Sequence, residues 1–293
     1  MQLEYISQRE AKLLSILRRE MELSSTLVKR LKYRGAFTVD GAVVHTNYLV
    51  RIGQSVCVCL DETEPDYPAE DSELQILYED EALIAVDKPA GILIHPSSAR
   101  NTGTLANYLL GYYRRTKQAC AVHPVSRLDR DTFGVVLLAK NAHVHAKLCA
   151  MSKAHEIEKI YCAAVFGTPP ADAGVIDAPI ARLSETSLLR CIREGGKPAR
   201  SEYRLLSAAD RAAILELHPL TGRTHQLRLH CAYLGCPILG DPQYGTVESG
   251  AFSAQLGLTG QQLCAVSLRF AHPLTGKYLE IRSKQNVSFA KIP

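Results

Sequence analysis

No run of apolar residues in this 293-residue chain approaches the roughly 18–20 that a membrane-crossing helix needs. The opening residues, MQLEYISQREAK, lack the apolar stretch of a signal peptide. A soluble, cytoplasmic protein is therefore the expectation. The nine cysteines form no framework. Cys57 and Cys59 alternate on an apparent strand, and Cys231 and Cys236 flank a turn of small residues. Neither pair has His or Cys partners at metal-ligand offsets. Free thiols in a reducing compartment is the reading that remains, and neither a metal nor another cofactor is expected.

Basic residues are missing altogether from positions 61–81, which hold ten Asp and Glu. On either side the sign reverses. Residues 1–60 carry nine Lys and Arg against five acidic residues, and residues 82–293 carry 25 against 15. Two basic blocks joined by an acidic connector suit two surfaces that face a polyanion. With 46% hydrophobic and 22% charged residues, the chain is globular with a real core, and its length suits two unequal domains.

The first block reads as a small α/β module. Leu13, Leu14, Ile16, Leu17 and Met21 lie at helical spacing on one face. Ser24 or Ser25 can cap a second helix over 26–34, and Gly35 stops it. Residues 36–39 and 42–44, joined by Asp40-Gly41, read as a hairpin, and 56–60 as a further strand. Lys29, Arg30 and Lys32 stand together on the second helix with Arg34 at its end; by spacing alone that is a solvated cationic face. The order of two short helices, the second basic, then a hairpin resembles the alpha-L RNA-binding motif of ribosomal proteins. The likeness covers roughly residues 12–60, with Asp-Gly where Asn-Gly is usual. It implies that Lys29, Arg30 and Lys32 contact RNA. The expected division is a module over 1–62, an extended acidic linker over 63–73 and a second domain over 74–293.

From position 74 onward short β-rich runs dominate, at 74–79, 82–87, 92–94, 135–139, 160–166, 200–207 and 212–216. Helical patterns at 104–114, 142–152 and 224–234 interrupt them irregularly. That argues an α+β fold with a central mixed or antiparallel sheet.

Four segments concentrate chemistry. They are Asp87-Lys88-Pro89-Ala90-Gly91 with His95-Pro96, HPVSRLDRDTFGVVLLAK over 123–140, EKIYCAAVFG over 158–167 and LTGRTHQLRLHCAYLGCPILGDPQYG over 220–245. The residue types alone leave several readings open. Asp129 and Asp131 could pair on a metal, although Arg127 and Arg130 would repel a cation. The same loop could be a surface loop of local ion pairs. His123, His143 and His145 invite a zinc reading but have no convergent acid or thiol.

Taken together and in order, these segments resemble the large-ribosomal-subunit pseudouridine synthases of the RluA type. That family's signature His-Arg-Leu-Asp-x-x-Thr-Ser-Gly stands here as Ser126-Arg127-Leu128-Asp129-Arg130-Asp131-Thr132-Phe133-Gly134. The DKPAG run, Lys159-x-Tyr161, GRTHQLRLH and the later AVSLRFAHPLTGK also match, so the likeness spans 74–283. It implies a pseudouridine synthase catalytic domain behind an alpha-L-type RNA-binding domain. The reaction would isomerise a uridine of structured RNA, ribosomal first and transfer RNA next, without cofactor or metal, in a monomer that needs no membrane.

The resemblance also assigns roles. Asp129 is the catalytic carboxylate, able to attack ribose carbon 1 or to take a ribose proton to give a glycal. Arg228 keeps it ionised, and Tyr161 stacks on the uracil with its phenol placed to help remove the carbon 5 proton. Arg127 stabilises the flipped nucleotide, and Lys88, Lys159 and Arg223 contact phosphate. Ser126 and Phe133 depart from the signature, which touches the choice of uridine more than the reaction. The competing expectations are a non-catalytic RNA-binding or assembly factor on the same fold and a retaining glycoside hydrolase. The latter needs a second carboxyl about 5 Å from the first.

Overall fold

The computed structural model describes residues 1–60, 62, 65–97 and 100–287. Near the N-terminus, helices Leu13–Arg19 and Ser25–Lys32 form where the periodicity predicts them. They bury Leu13, Ile16 and Leu17, and Leu27, Val28 and Leu31. Ser24 is the cap of the second, its hydroxyl accepting from the Leu27 amide at 3.1 Å. Both helices pack against a four-stranded antiparallel sheet in the order Gln2–Ile6, Ser55–Cys59, Phe37–Val39, Ala42–Val43. Leu3 and Tyr5 of the first strand close the core around Phe37, Val56 and Val58. Their strand is missed from sequence because only one face of it is half-buried, among Glu and Gln.

The larger part is α+β, built on a ten-stranded sheet. Its order is Ala173–Asp177, Arg200–Ala208, Ala212–Pro219, Glu158–Phe166, Leu263–Ala271, Phe133–Ala139, Leu83–Lys88 and Ile76–Glu79, with Tyr278–Arg282 beside Leu263–Ala271 and His123–Pro124 beside Phe133–Ala139. Every pairing is antiparallel except that of Phe133–Ala139 with Leu263–Ala271. Leu83–Lys88 is buried throughout, and Phe133–Ala139 at all positions but its first. They therefore read as continuous apolar runs rather than as alternating ones.

One expected strand is absent. Residues 92–94 bend, and only Leu93 forms an isolated bridge, to Thr104. The Leu93 and Ile94 carbonyls accept from the amides of Leu105 and Ala106, both at 2.9 Å. The segment thus satisfies the open first turn of helix Leu105–Arg115 instead of extending a sheet.

The acidic connector does not run free either. Asp61, Thr63 and Glu64 lie outside the described residues. Glu62 is buried, accepting from the Ala142 amide at 2.8 Å and lying 3.4 Å from Arg30 and 3.7 Å from His123. Further on, Tyr67 packs with Leu105, Leu109 and Tyr113. The Asn107 side chain donates to the Pro68 carbonyl at 2.8 Å, and the Glu70 carboxylate accepts from the Gly103 amide at 2.6 Å. Contact with the helix is so close that a Cβ at Gly111 would lie 2.1 Å from the Glu70 carbonyl oxygen. Repulsion among the acids is offset because each of these carboxylates meets a donor of its own.

The single parallel pairing is short, Phe133 with Cys264 and Gly134 with Ala265. Gly134 sits at φ +104°, and a Cβ there would lie 2.3 Å from the Ala265 carbonyl oxygen. Only glycine admits that approach. Gly134→Ala is expected to cost more than about 2 kcal/mol of stability, through left-handed strain and the clash together. Urea unfolding reads this directly, and an unchanged midpoint would show that the strand pair tolerates separation.

Candidate active site

The loop that enters strand Phe133–Ala139 is pinned on both sides of Asp129. Leu128 is buried with Val136 and Ala265. The Arg130 carbonyl accepts from the Gly91 amide at 3.0 Å and from Lys88 Nζ at 2.8 Å. Buried Thr132 accepts from Gln261 Nε2 at 2.5 Å. Arg130 and Asp131 turn outward and pair with each other at 3.1 Å. Asp129 is left between two anchors, its side chain partly open to solvent.

Helix Gln226–Tyr233 supplies the cation. Its orientation is set by two of the polar residues that crowd the motif. Gln226 donates to the Arg200 carbonyl and Ser201 Oγ, both at 2.9 Å, and accepts from Thr221 Oγ1 at 2.7 Å and the Arg223 amide at 3.0 Å. His230 is fully buried between Ser201 Oγ (2.9 Å) and the Ala178 carbonyl (3.1 Å), and burial lowers its pKa below the usual imidazole value. These two residues fasten the helix to its neighbours.

Arg228, held by that scaffold, joins two carboxylates. Its Nε and Nη2 donate to Asp241 Oδ2 and Oδ1, both at 2.7 Å, and Nη2 also reaches Gln243 Oε1 at 2.8 Å. Nη1 donates to Asp129 Oδ2 at 3.3 Å. The Tyr244 ring covers the guanidinium, 4.9 Å from its carbon to the ring centre. Burial works against the charge, but the bonds to Asp241 and the charges of Asp241 and Asp129 outweigh it and raise the Arg228 pKa. Fork-on-fork pairing of this kind fixes direction as well as charge.

Tyr161 lies on strand Glu158–Phe166 beside a register shift between Ile160 and Tyr161. Its ring is half-buried between the clusters formed by Leu217 and Leu227 on one side and Leu128 and Ala265 on the other. Burial pushes its phenol pKa well up, and the nearby negative charge of Asp129 adds to the rise. Asp129, Arg228 and Tyr161 are therefore brought to one place.

The expected RNA contacts divide. Arg127 is exposed beside Asp129. Arg223 is exposed too, with Nε on the Pro198 carbonyl at 2.9 Å. Lys159 directs its ammonium to Ser152 Oγ at 3.1 Å, on helix Ala142–Lys153, and does not join the cluster. Lys88 is a correction. It is completely buried, and Nζ donates to the carbonyls of Pro89 (2.9 Å), Ile92 (2.9 Å) and Arg130 (2.8 Å). Burial lowers its pKa to about 8, against the opposing charges of Asp131 and Asp129. With its donors spent on carbonyls, Lys88 braces the Asp129 loop and has none to offer a phosphate. On the N-terminal helix, Lys29 and Lys32 are exposed, whereas Arg30 is half-buried against Glu62.

Sequence reasoning missed Asp241, Gln243 and Tyr244. The signal available was GDPQYG, a glycine-bounded turn with one carboxylate, whose burial depends on a guanidinium 13 residues earlier in the chain.

Residues 82–233 match the profile described as RNA pseudouridylate synthase. The chain is 35% identical over 268 residues to an uncharacterized RNA pseudouridine synthase of Bacillus subtilis, covering 90% of this chain and 86% of the relative. It is 37% identical over 250 residues to ribosomal large subunit pseudouridine synthase D of Pseudomonas aeruginosa, covering 83% and 78%. Among solved structures it resembles human RNA pseudouridylate synthase domain containing 1, with TM-score 0.60 and 26% identity over 74% of this chain and 86% of that one.

Lys88→Met separates a brace from a phosphate contact. The Pro89 and Ile92 carbonyls lose the Nζ donor and the Arg130 carbonyl keeps only the Gly91 amide, so stability is expected to fall by about 2 kcal/mol. The slope of log affinity for RNA against log salt is expected to stay as in wild type. A slope smaller by about 0.7–0.9 would assign Lys88 to phosphate after all.

Proposed function

The chain belongs to the RNA pseudouridine synthase family and is an enzyme of that kind, and from this premise we propose Asp129 as its catalytic carboxylate, Arg228 as its charge partner and Tyr161 as the ring on which uracil stacks. The reading rests above all on Arg228 Nη1, 3.3 Å from Asp129 Oδ2, with its other face locked onto Asp241. Isomerisation breaks the bond from ribose C1′ to uracil N1 and makes one from C1′ to C5. C5 gives up a proton and N1 gains one, so there is no net redox change. A carboxylate starts this only when ionised, and a fixed guanidinium favours that form.

Tyr161 takes a narrower role than the resemblance implies. A phenol held neutral by burial and by a neighbouring carboxylate is a poor base at neutral pH. We therefore assign it the stacking of the flipped uracil and leave removal of the C5 proton to another group. To Arg127, exposed next to Asp129, we assign the gap left by the extruded nucleotide, whose unstacking costs about a few kcal/mol.

Ribosomal RNA is the proposed substrate, ahead of transfer RNA, because the Pseudomonas aeruginosa relative is named for the large ribosomal subunit. The proposed setting is the cytoplasm, with the protein acting as a monomer. Among the described residues no helix is long and apolar enough to cross a membrane. Residues 1–60 act as an alpha-L-type RNA-binding module through Lys29 and Lys32. Arg30 contributes less, since Glu62 neutralises it.

Asp129→Asn is expected to lower pseudouridine formation by at least about 10³-fold while RNA affinity holds. Substantial turnover in that variant would reject the assignment. Replacing Lys29 and Lys32 together by Ala should weaken RNA binding and flatten its salt slope by about 1.5. An unchanged slope would remove the N-terminal module from the RNA interface.

A further inference from the structure

The two oxygens of Asp129 are in different surroundings. Arg228 Nη1 donates to Oδ2, and His225 Nε2 stands 4.0 Å from the same oxygen. Among the described residues no hydrogen bond reaches Oδ1. His225 itself is strained. It precedes helix Gln226–Tyr233 in the left-handed conformation, φ 58° and ψ 20°, and its side chain does not cap that helix. A non-glycine residue is strained there, and something else must offset that strain.

The imidazole is committed elsewhere. Nδ1 lies 2.7 Å from Tyr244 Oη, and the Arg190 amide donates to that same oxygen at 3.0 Å. The phenol oxygen is thus already an acceptor, which favours the pairing in which its own proton goes to His225 Nδ1. Burial and the neighbouring charges of Asp241 and Asp129 hold the Tyr244 phenol in its protonated form, against the Arg190 amide and the Arg228 charge. An imidazole that accepts at Nδ1 is neutral and carries its hydrogen at Nε2. Five groups face this ring: Asp129, Arg228, Arg190, Asp241 and Tyr244. Burial, with the two arginines, lowers the His225 pKa against the pull of the two aspartates.

We propose that His225, fixed as its Nε2–H tautomer by Tyr244 and the Arg190 amide, is a second positioning donor to Asp129 Oδ2, so that Oδ1 is the oxygen that reacts. The inference rests on Asp129 being the catalytic carboxylate. The 4.0 Å separation closes to a hydrogen bond when uridine fills the cleft, as catalytic hydrogen bonds commonly tighten on substrate binding. If Asp129 attacks, Oδ1 bonds to C1′ as the C1′–N1 bond breaks and uracil leaves with the electron pair. If it abstracts, Oδ1 takes the C2′ proton, that electron pair forms the C1′–C2′ double bond, and N1 leaves with its own. In both routes, bonding of C1′ to C5 restores the carboxylate, with the proton returned to C2′ in the second.

Tyr244→Phe keeps the ring over Arg228 and removes only the hydroxyl. It is expected to lower single-turnover kcat about tenfold and to leave KM within twofold. His225→Gln, which retains a donor near the Nε2 position, should stay within about tenfold of wild type, whereas His225→Leu should lose about 100-fold. Side-chain ¹⁵N spectra should show a neutral Nε2–H imidazole in wild type and mixed tautomers in Tyr244→Phe. An Nδ1–H tautomer in wild type, unchanged turnover in Tyr244→Phe, or equal activity of the Gln and Leu variants would overturn the proposal. An active Asp129→Asn enzyme would instead overturn the assignment on which it rests.

Discussion

One guanidinium serves two carboxylates, and the rest of the site is arranged around that sharing. Arg228 gives its most directional pair of bonds to Asp241, whose side chain is 1% exposed, and a single longer bond to Asp129, whose side chain is 28% exposed. Buried pairs of this kind add little net stability, because desolvation offsets most of the attraction. Their value lies in direction. Asp241 aims the guanidinium, and the surplus of its charge falls on Asp129. The two contacts therefore differ in purpose: the short, dry one fixes geometry, and the longer, wetter one leaves the Asp129 carboxylate accessible.

Such a bond fails if either partner drifts, so the fold holds both ends. The Asp129 loop is tied by Lys88 and Gly91 through the Arg130 carbonyl and by Gln261 through Thr132. The Arg228 helix is tied by Gln226 and His230 to Ser201. The strand after Asp129 is set against Ala265 by the absence of a Cβ at Gly134. Most of the polar residues in the two densest motifs are thus spent on position rather than on chemistry, as a preorganised site requires.

That distinction marks where the sequence was legible. The second N-terminal helix was readable because Ser24 and Gly35 punctuate clear periodicity. The two buried strands were readable, at 82–87 and 135–139, as short β-rich runs. Residues 92–94 looked equally like a strand, but their carbonyls go to the next helix, and composition does not reveal a backbone partner. Within the site, Asp129, Tyr161 and Arg228 came from motifs. Lys88 was misread because a lysine in a turn is ordinarily exposed, and nothing local announces three carbonyls converging on its ammonium. Asp241 was missed for the complementary reason: a carboxylate in a glycine turn looks solvated until its cation is known.

The same reasoning changes the meaning of the charge pattern along the chain. Ten acidic residues within positions 61–81, with no basic one among them, suggest repulsion and an open linker. Yet Glu62 meets the Ala142 amide and Arg30, Glu70 meets the Gly103 amide, and Asp71 meets Arg115. Glu79 meets Lys140, and Asp80 the amides of Ala82 and Leu83. Burial would raise the pKa values of Glu62, Glu79 and Asp80, but hydrogen bonds to their charged forms keep them below the usual carboxylate range. A segment with these five charges paired fastens the chain instead of spacing it. It also withdraws Arg30 from the cationic face of the N-terminal helix, so the surface left for a polyanion is narrower than the residue count implies. Charge arithmetic sets the sign of the partner, while the geometry of each pair decides which cations remain to meet it.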